Sequence, residues 1–153
     1  MVRYLISLLV FLAGFVFAVS VAEQSLLPLL DLPTLIVVGL VPFLFVSVLF
    51  GFKDVKAAYK TALKKEPDTD SISKSKGFFN IYGAAIWIMG MVSVIVGIIG
   101  MLANLEDRAS IGPNIALALV SIFYSGLIYL AVVFPFMLML KKKQKTQSEE
   151  DAA

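Results

Sequence analysis

The sequence has no cysteine and no histidine. Without cysteine there is no disulfide framework and no thiolate metal site. Without histidine the commonest general base and metal ligand is gone. Charge is scarce as well. Charged residues are 16% of the 153 and hydrophobic ones 59%, whereas soluble domains average about 25% charged and roughly 45–50% apolar. The charges that exist are gathered at the N-terminus and in four short segments. They leave the stretches 4–22, 32–52, 77–105 and 112–140 with none. The loops between are too short to shape a pocket, and no phosphate-binding glycine loop or metal-spaced cluster occurs. Enzymatic catalysis, a cofactor and nucleic-acid binding are therefore not expected.

What is present is apolar length. A bilayer is crossed by about 20 apolar residues in a helix, and in hydrocarbon the backbone must satisfy its own hydrogen bonds. The four charge-free stretches thus predict an all-α integral membrane protein with four transmembrane helices in a single membrane domain, 1–153. The last two stretches exceed the minimum and must tilt or project beyond the hydrocarbon. Lysine placement orients them. Lys53, Lys56, Lys60, Lys64, Lys65, Lys74 and Lys76 crowd the segment 53–76, and Lys141, Lys142, Lys143 and Lys145 follow the last span. The connection 23–31 has only Glu23 and Asp31, and 106–111 sets Arg108 against Glu106 and Asp107. Both termini and the 53–76 loop are expected in the cytoplasm. A competing reading makes residues 1–22 a cleaved signal peptide, with Ser20-Val21-Ala22 as the cleavage site, but the apolar run is longer than the usual h-region.

Local signals refine this plan. Pro28 and Pro33 suit an external turn before span 2. Pro42, inside that span, should kink it, and Pro135 lies in the last turns of span 4. Val55, Ala58, Tyr59, Ala62 and Leu63 recur with helical spacing opposite a lysine face. This predicts an amphipathic helix over 53–65 lying on the membrane surface. A polar turn follows, with Asp70 or Ser71 as N-cap of the next helix. The polar tail 141–153 is expected to be disordered. Gly83, Gly90 and Gly97, seven residues apart, mark one slowly drifting face of span 3. Ser93 with Gly97 adds a small-residue pair suited to close helix approach.

With no carboxylate or histidine in any span, the usual intramembrane proton relay is missing. Spans 3 and 4 offer mainly Asn80, Ser93, Ser121, Tyr124, Ser125 and Tyr129. These side chains either bond helices together or line a polar path, and the residues alone leave both open.

Several segments resemble a known family. Asp31 to Leu40, continuing through Gly51-Phe52-Lys53-Asp54-Val55-Lys56, is similar to the second membrane helix of MotA-type stator subunits. Val92-Ser93-Val94-Ile95-Val96-Gly97 and Ile111-Gly112-Pro113-Asn114 through Tyr124 resemble the pore helices of the MotA/TolQ/ExbB family. Pro135 matches the proline near the end of the last MotA helix. The resemblance covers roughly residues 28–140. It implies a homopentamer in the bacterial inner membrane, surrounding a dimer of single-span MotB/ExbD-like partners that carry the ion-binding aspartate. Ser93, Gly97, Ser121, Ile122, Tyr124 and Ser125 would then be pore-lining or partner-facing, and Pro42 and Pro135 would be kinks or hinges. Three departures stand out. The large cytoplasmic insert of MotA shrinks to 53–76, Ile122 stands where the family has a threonine, and Trp87 stands where MotA has a proline. The expected function is an ion-driven motor subunit, using protons or sodium, outside the flagellum. The alternative is a non-conducting scaffold or assembly subunit of the same fold.

Overall fold

The computed structural model describes residues 2–21 and 31–150, and every regular element among them is helical. It divides into two units, Met1–Leu32 and Pro33–Ala153. In the first, α1 (Val2–Val21) is one uninterrupted helix, in which the Ser20 hydroxyl donates to the Val16 carbonyl at 2.8 Å. The turn expected around Pro28 lies outside the described residues.

The second unit holds α2 (Leu32–Phe50) from its second residue on, α3 (Phe52–Leu63), α4 (Thr69–Ala103) and α5 (Arg108–Glu149, its last helical piece ending at Glu150). Among the described residues, α2, α4 and α5 are the helices long and apolar enough to cross a membrane.

Pro42 and Pro135 are handled alike. Proline lacks an N–H and clashes with the carbonyl four residues back. In α2 a π turn, Ile36–Leu40, ends just before Pro42, and the Val41 N–H reaches back to the Ile36 carbonyl. In α5 the π turn Tyr129–Val133 ends just before Pro135, with the Phe134 N–H on the Tyr129 carbonyl. The widened turn re-pairs the backbone that proline disturbs. Pro113 lies within α5 rather than at its start, because the helix begins earlier, at Arg108.

At the lysine-rich end the helices are joined by aromatic rings. Tyr59 of α3 stands 5.1 Å from Phe79 of α4 and 5.0 Å from Phe136 of α5, ring centre to ring centre. Phe79 stacks on Phe136 at 5.3 Å. Phe50 of α2 meets Phe78 edge-on at 5.7 Å. Gly51 turns the chain between α2 and α3 at φ +85°, a conformation open chiefly to glycine.

Three expectations are corrected here. The stripe of α3 was expected on the membrane surface, but Val55, Ala58 and Ala62 are buried against the bundle and Tyr59 is half-buried, and of the stripe only Leu63 stays exposed. Aromatic partners on α4 and α5 occupy the face that lipid would have covered. The N-cap of α4 is Asp68, whose carboxylate accepts from the Ser71 N–H at 3.0 Å, rather than Asp70 or Ser71. The segment expected to be a disordered tail is helical through Glu150. It is held by contacts remote in sequence. The Lys143 ammonium donates to the carbonyls of Thr61, Ala62 and Lys64. Lys76 donates to Gln144 at 2.6 Å, and the Gln147 amide donates to the Pro67 carbonyl. Residues 151–153 lie outside the described residues.

Candidate functional site

Of the residues singled out for a membrane path, Gly97 and Ser125 meet their opposite helix directly where α4 packs on α5. Glycine repeating every two turns presents bare backbone on one face of α4, and α5 fills it. A Cβ at Gly97 would lie 2.9 Å from the Asn114 carbonyl oxygen and 3.1 Å from Ala118 Cβ. One at Gly90 would overlap the Ser125 hydroxyl and stand 3.0 Å from its Cβ, and one at Gly83 would meet the Tyr129 ring at 2.8 Å. Gly100 receives the Asn114 amide in the same way. The seam therefore sets the α4 backbone against side chains of α5 at Gly83, Gly90 and Gly100 and against its backbone at Gly97, with no slack along four turns of glycine spacing.

Within it, Gly97 is buried and Ser121 and Ser125 have no exposed surface. The Ser121 hydroxyl donates to the Leu117 carbonyl at 2.7 Å. The Ser125 hydroxyl lies 2.8 Å from the Ser121 carbonyl and 3.5 Å from the Ile86 carbonyl of α4, so it sits at the helix crossing. Tyr124 is nearly covered, at 6% exposure. Ile122 differs: it is 42% exposed, on a stripe of α5 with Ile115, Leu119 and Leu130. Ser93 is half-buried, and its hydroxyl donates to the Met89 carbonyl at 3.0 Å. Trp87 is also 42% exposed, its ring 6.2 Å from that of Tyr129.

Ser93 and Ser121 come together in a crevice of about 210 Å³. Pro33, Thr34 and Val37 of α2, Met89, Val92, Ser93 and Val96 of α4, and Leu117 and Ser121 of α5 line it. Thr34, 3% exposed, has no sequence signal beyond its position in the first turn of α2. Ser125, Tyr124, Gly97 and Ile122 are not among the lining residues, so the structure gathers only two of the six at this crevice.

The chemistry of the seam is limited. Its hydroxyl protons are committed to helix carbonyls, which satisfies serine locally in an apolar setting. Their lone pairs can still accept. The seam holds no carboxylate, histidine, lysine or arginine. Among the described residues no group of acidic side chains could hold a metal ion.

Comparison with known proteins bears on this arrangement. The sequence model described as the MotA/TolQ/ExbB proton channel family matches residues 52–151. The chemotaxis protein PomA of Vibrio alginolyticus is 33% identical over 91 residues, which cover 57% of this chain and 36% of that protein. Motility protein A of Treponema pallidum (strain Nichols) is 51% identical over 39 residues, 26% of this chain and 15% of that protein. Motility protein A of Aquifex aeolicus (strain VF5) is 30% identical over 91 residues, 58% of this chain and 34% of that protein. The chain thus spans about a third or less of the length of these relatives.

Proposed function

Because the chain belongs to the MotA/TolQ/ExbB proton channel family, we propose that it is a ring-forming subunit of an ion-driven membrane motor. Five copies surround a dimer of single-span partners, and ion flow at a partner aspartate is coupled to mechanical work. The observation that carries this reading is the chemistry of the α4–α5 seam: it is closely packed and hydroxyl-lined, yet has no titratable carboxylate or histidine. A proton path through such a wall needs its acid from elsewhere, and a partner helix supplies it. Ile122 and Ser93, the accessible members of the set, face the partner or a neighbouring subunit. Gly97, Ser121, Tyr124 and Ser125 hold the seam rigid behind them.

In this reading α1 is a fourth span, since a 20-residue helix is about 30 Å long, enough for the hydrocarbon core. The lysine-rich end and both termini face the cytoplasm of a bacterial inner membrane, by the positive-inside rule. The chain has no cysteine, so single cysteines introduced at Lys60 and Asp107 report topology directly. The first should be shielded from an impermeant thiol reagent in whole cells and the second labelled.

A second reading, a non-conducting scaffold of the same fold, draws on Ser121 and Ser125 being enclosed within one chain and on Ile122 at the family's threonine position. Native mass spectrometry of the complex, co-purified with a single-span protein encoded beside it, tests the assembly. A mass of five chains plus two partners supports the ring, and a monomer without partner refutes both readings.

A further inference from the structure

The lysine-rich end carries a feature that ion conduction does not use. Two segments about 80 residues apart in sequence form a cleft of about 520 Å³, lined by Lys65, Glu66 and Pro67 on one side and Lys142, Lys143, Thr146 and Gln147 on the other. Its walls are cross-linked. Lys143 is engaged by the carbonyls at the end of α3, and Gln147 bonds Pro67 and accepts from the Thr69 hydroxyl. Lys65 and Lys142 remain. The ion pairs among the described residues are Lys74–Asp70 and Lys145–Glu149, so neither of these two ammonium groups has a carboxylate partner there. Glu66 is the one acidic side chain lining the cleft, leaving the balance cationic.

Depth identifies the ligand. The charge-free run of α5 ends at Leu140 and that of α4 begins at Gly77. Lys142 is therefore about 3 Å beyond the charge-free run along the helix, and Gln147 about 10 Å beyond it. The headgroup layer extends roughly 5–8 Å beyond the hydrocarbon on each side. The inner end of the cleft, at Lys142, is thus within reach of lipid phosphates.

We propose that this cleft binds the phosphate of an anionic phospholipid headgroup, with Lys65 and Lys142 as its cationic contacts and the Lys143–α3 cap holding its walls apart. This requires only that the protein sit in a membrane, so it stands or falls separately from the motor reading.

The test is lipid retention by native mass spectrometry of the full chain from liposomes of equal phosphatidylglycerol and phosphatidylcholine. Each interfacial lysine strengthens binding to anionic lipid about fivefold. Phosphatidylglycerol should be retained preferentially, and K65Q/K142Q should weaken that retention by about thirtyfold. K65R/K142R should preserve it. K53Q/K56Q, on exposed α3 positions outside the cleft, removes the same charge and should weaken retention clearly less, with all variants matching in helical circular dichroism. Equal loss in K53Q/K56Q would reduce the effect to general surface charge and overturn the site. Displacement of the lipid by millimolar inorganic phosphate would assign the cleft to a soluble anion, and no preference for phosphatidylglycerol would overturn it outright.

Discussion

Gly90→Ala is the most informative perturbation of the α4–α5 seam. The added methyl collides with the Ser125 hydroxyl, stands 3.0 Å from Ser125 Cβ and lies 3.5 Å from the Ser121 carbonyl. Ser125 has no room to swing away, being wholly buried with its hydroxyl on the Ser121 carbonyl. Overpacking a filled site costs about 1–3 kcal/mol, and the better helix propensity of alanine returns roughly 0.5–1 kcal/mol. A net loss of about 1–2 kcal/mol is expected, read as a lower midpoint of unfolding in detergent by circular dichroism. Gly126→Ala is the control, with nothing within 4 Å of the new Cβ; it should be neutral or slightly stabilising. Ser125→Gly removes both colliding atoms. The double variant G90A/S125G should therefore cost less than the sum of its parts by about 1–2 kcal/mol, within the range for residues in direct contact. Gly97→Ala meets a backbone carbonyl at 2.9 Å, which no side-chain change can move, so it should be at least as harmful. Additivity of G90A and S125G to within about 0.5 kcal/mol would refute direct packing at this crossing.

Three further outcomes follow from the lysine-rich end. Gly51→Ala has free space but forces alanine to φ +85°, so it should lower stability by about 1–3 kcal/mol in the same unfolding assay. Lys143→Met keeps the apolar stem but removes the charge-assisted bonds to α3, worth about 1.5–3 kcal/mol. Faster hydrogen exchange should then appear in a peptide covering 60–66, with the membrane helices unchanged. The Asp68 carboxyl is held below its ordinary 3.8 by the Ser71 N–H and hydroxyl that donate to it. Its cap is thus fully present above 3.8 and lost as pH falls through the lower folded value. Ser71 amide protection should be flat from pH 7 to 4, decline below, and lose this dependence in Asp68→Asn.

How far the sequence could be read depended on the range of each signal. Apolar runs and lysine clusters are local, so the membrane helices α2, α4 and α5 could be located without coordinates. Glycine spacing is also local, and it marked the face of α4 that meets α5. It could not say whether the partner for that face was the chain's own α5 or another molecule, because a small-residue stripe is the same in both cases. The stripe of α3 was recognised as apolar, but what covers it depends on Phe79 and Phe136, which only the folded bundle brings together. The final turns of α5 read as a solvated tail because their polar side chains were considered alone. Their partners, Pro67, Lys76 and the end of α3, lie some 70–80 residues away. At Pro42 and Pro135, where kinks were expected, each helix carries a π turn just upstream.

The central claim is that this chain provides the wall of an ion path and a partner provides the acid. Proton-driven fluorescence quenching in liposomes containing the purified complex tests it most directly. The account predicts flux with the intact partner, loss of that flux when the partner's membrane aspartate is changed to asparagine, and none from this chain alone. Flux undiminished by that change, or an intact complex that passes neither protons nor sodium, would contradict it.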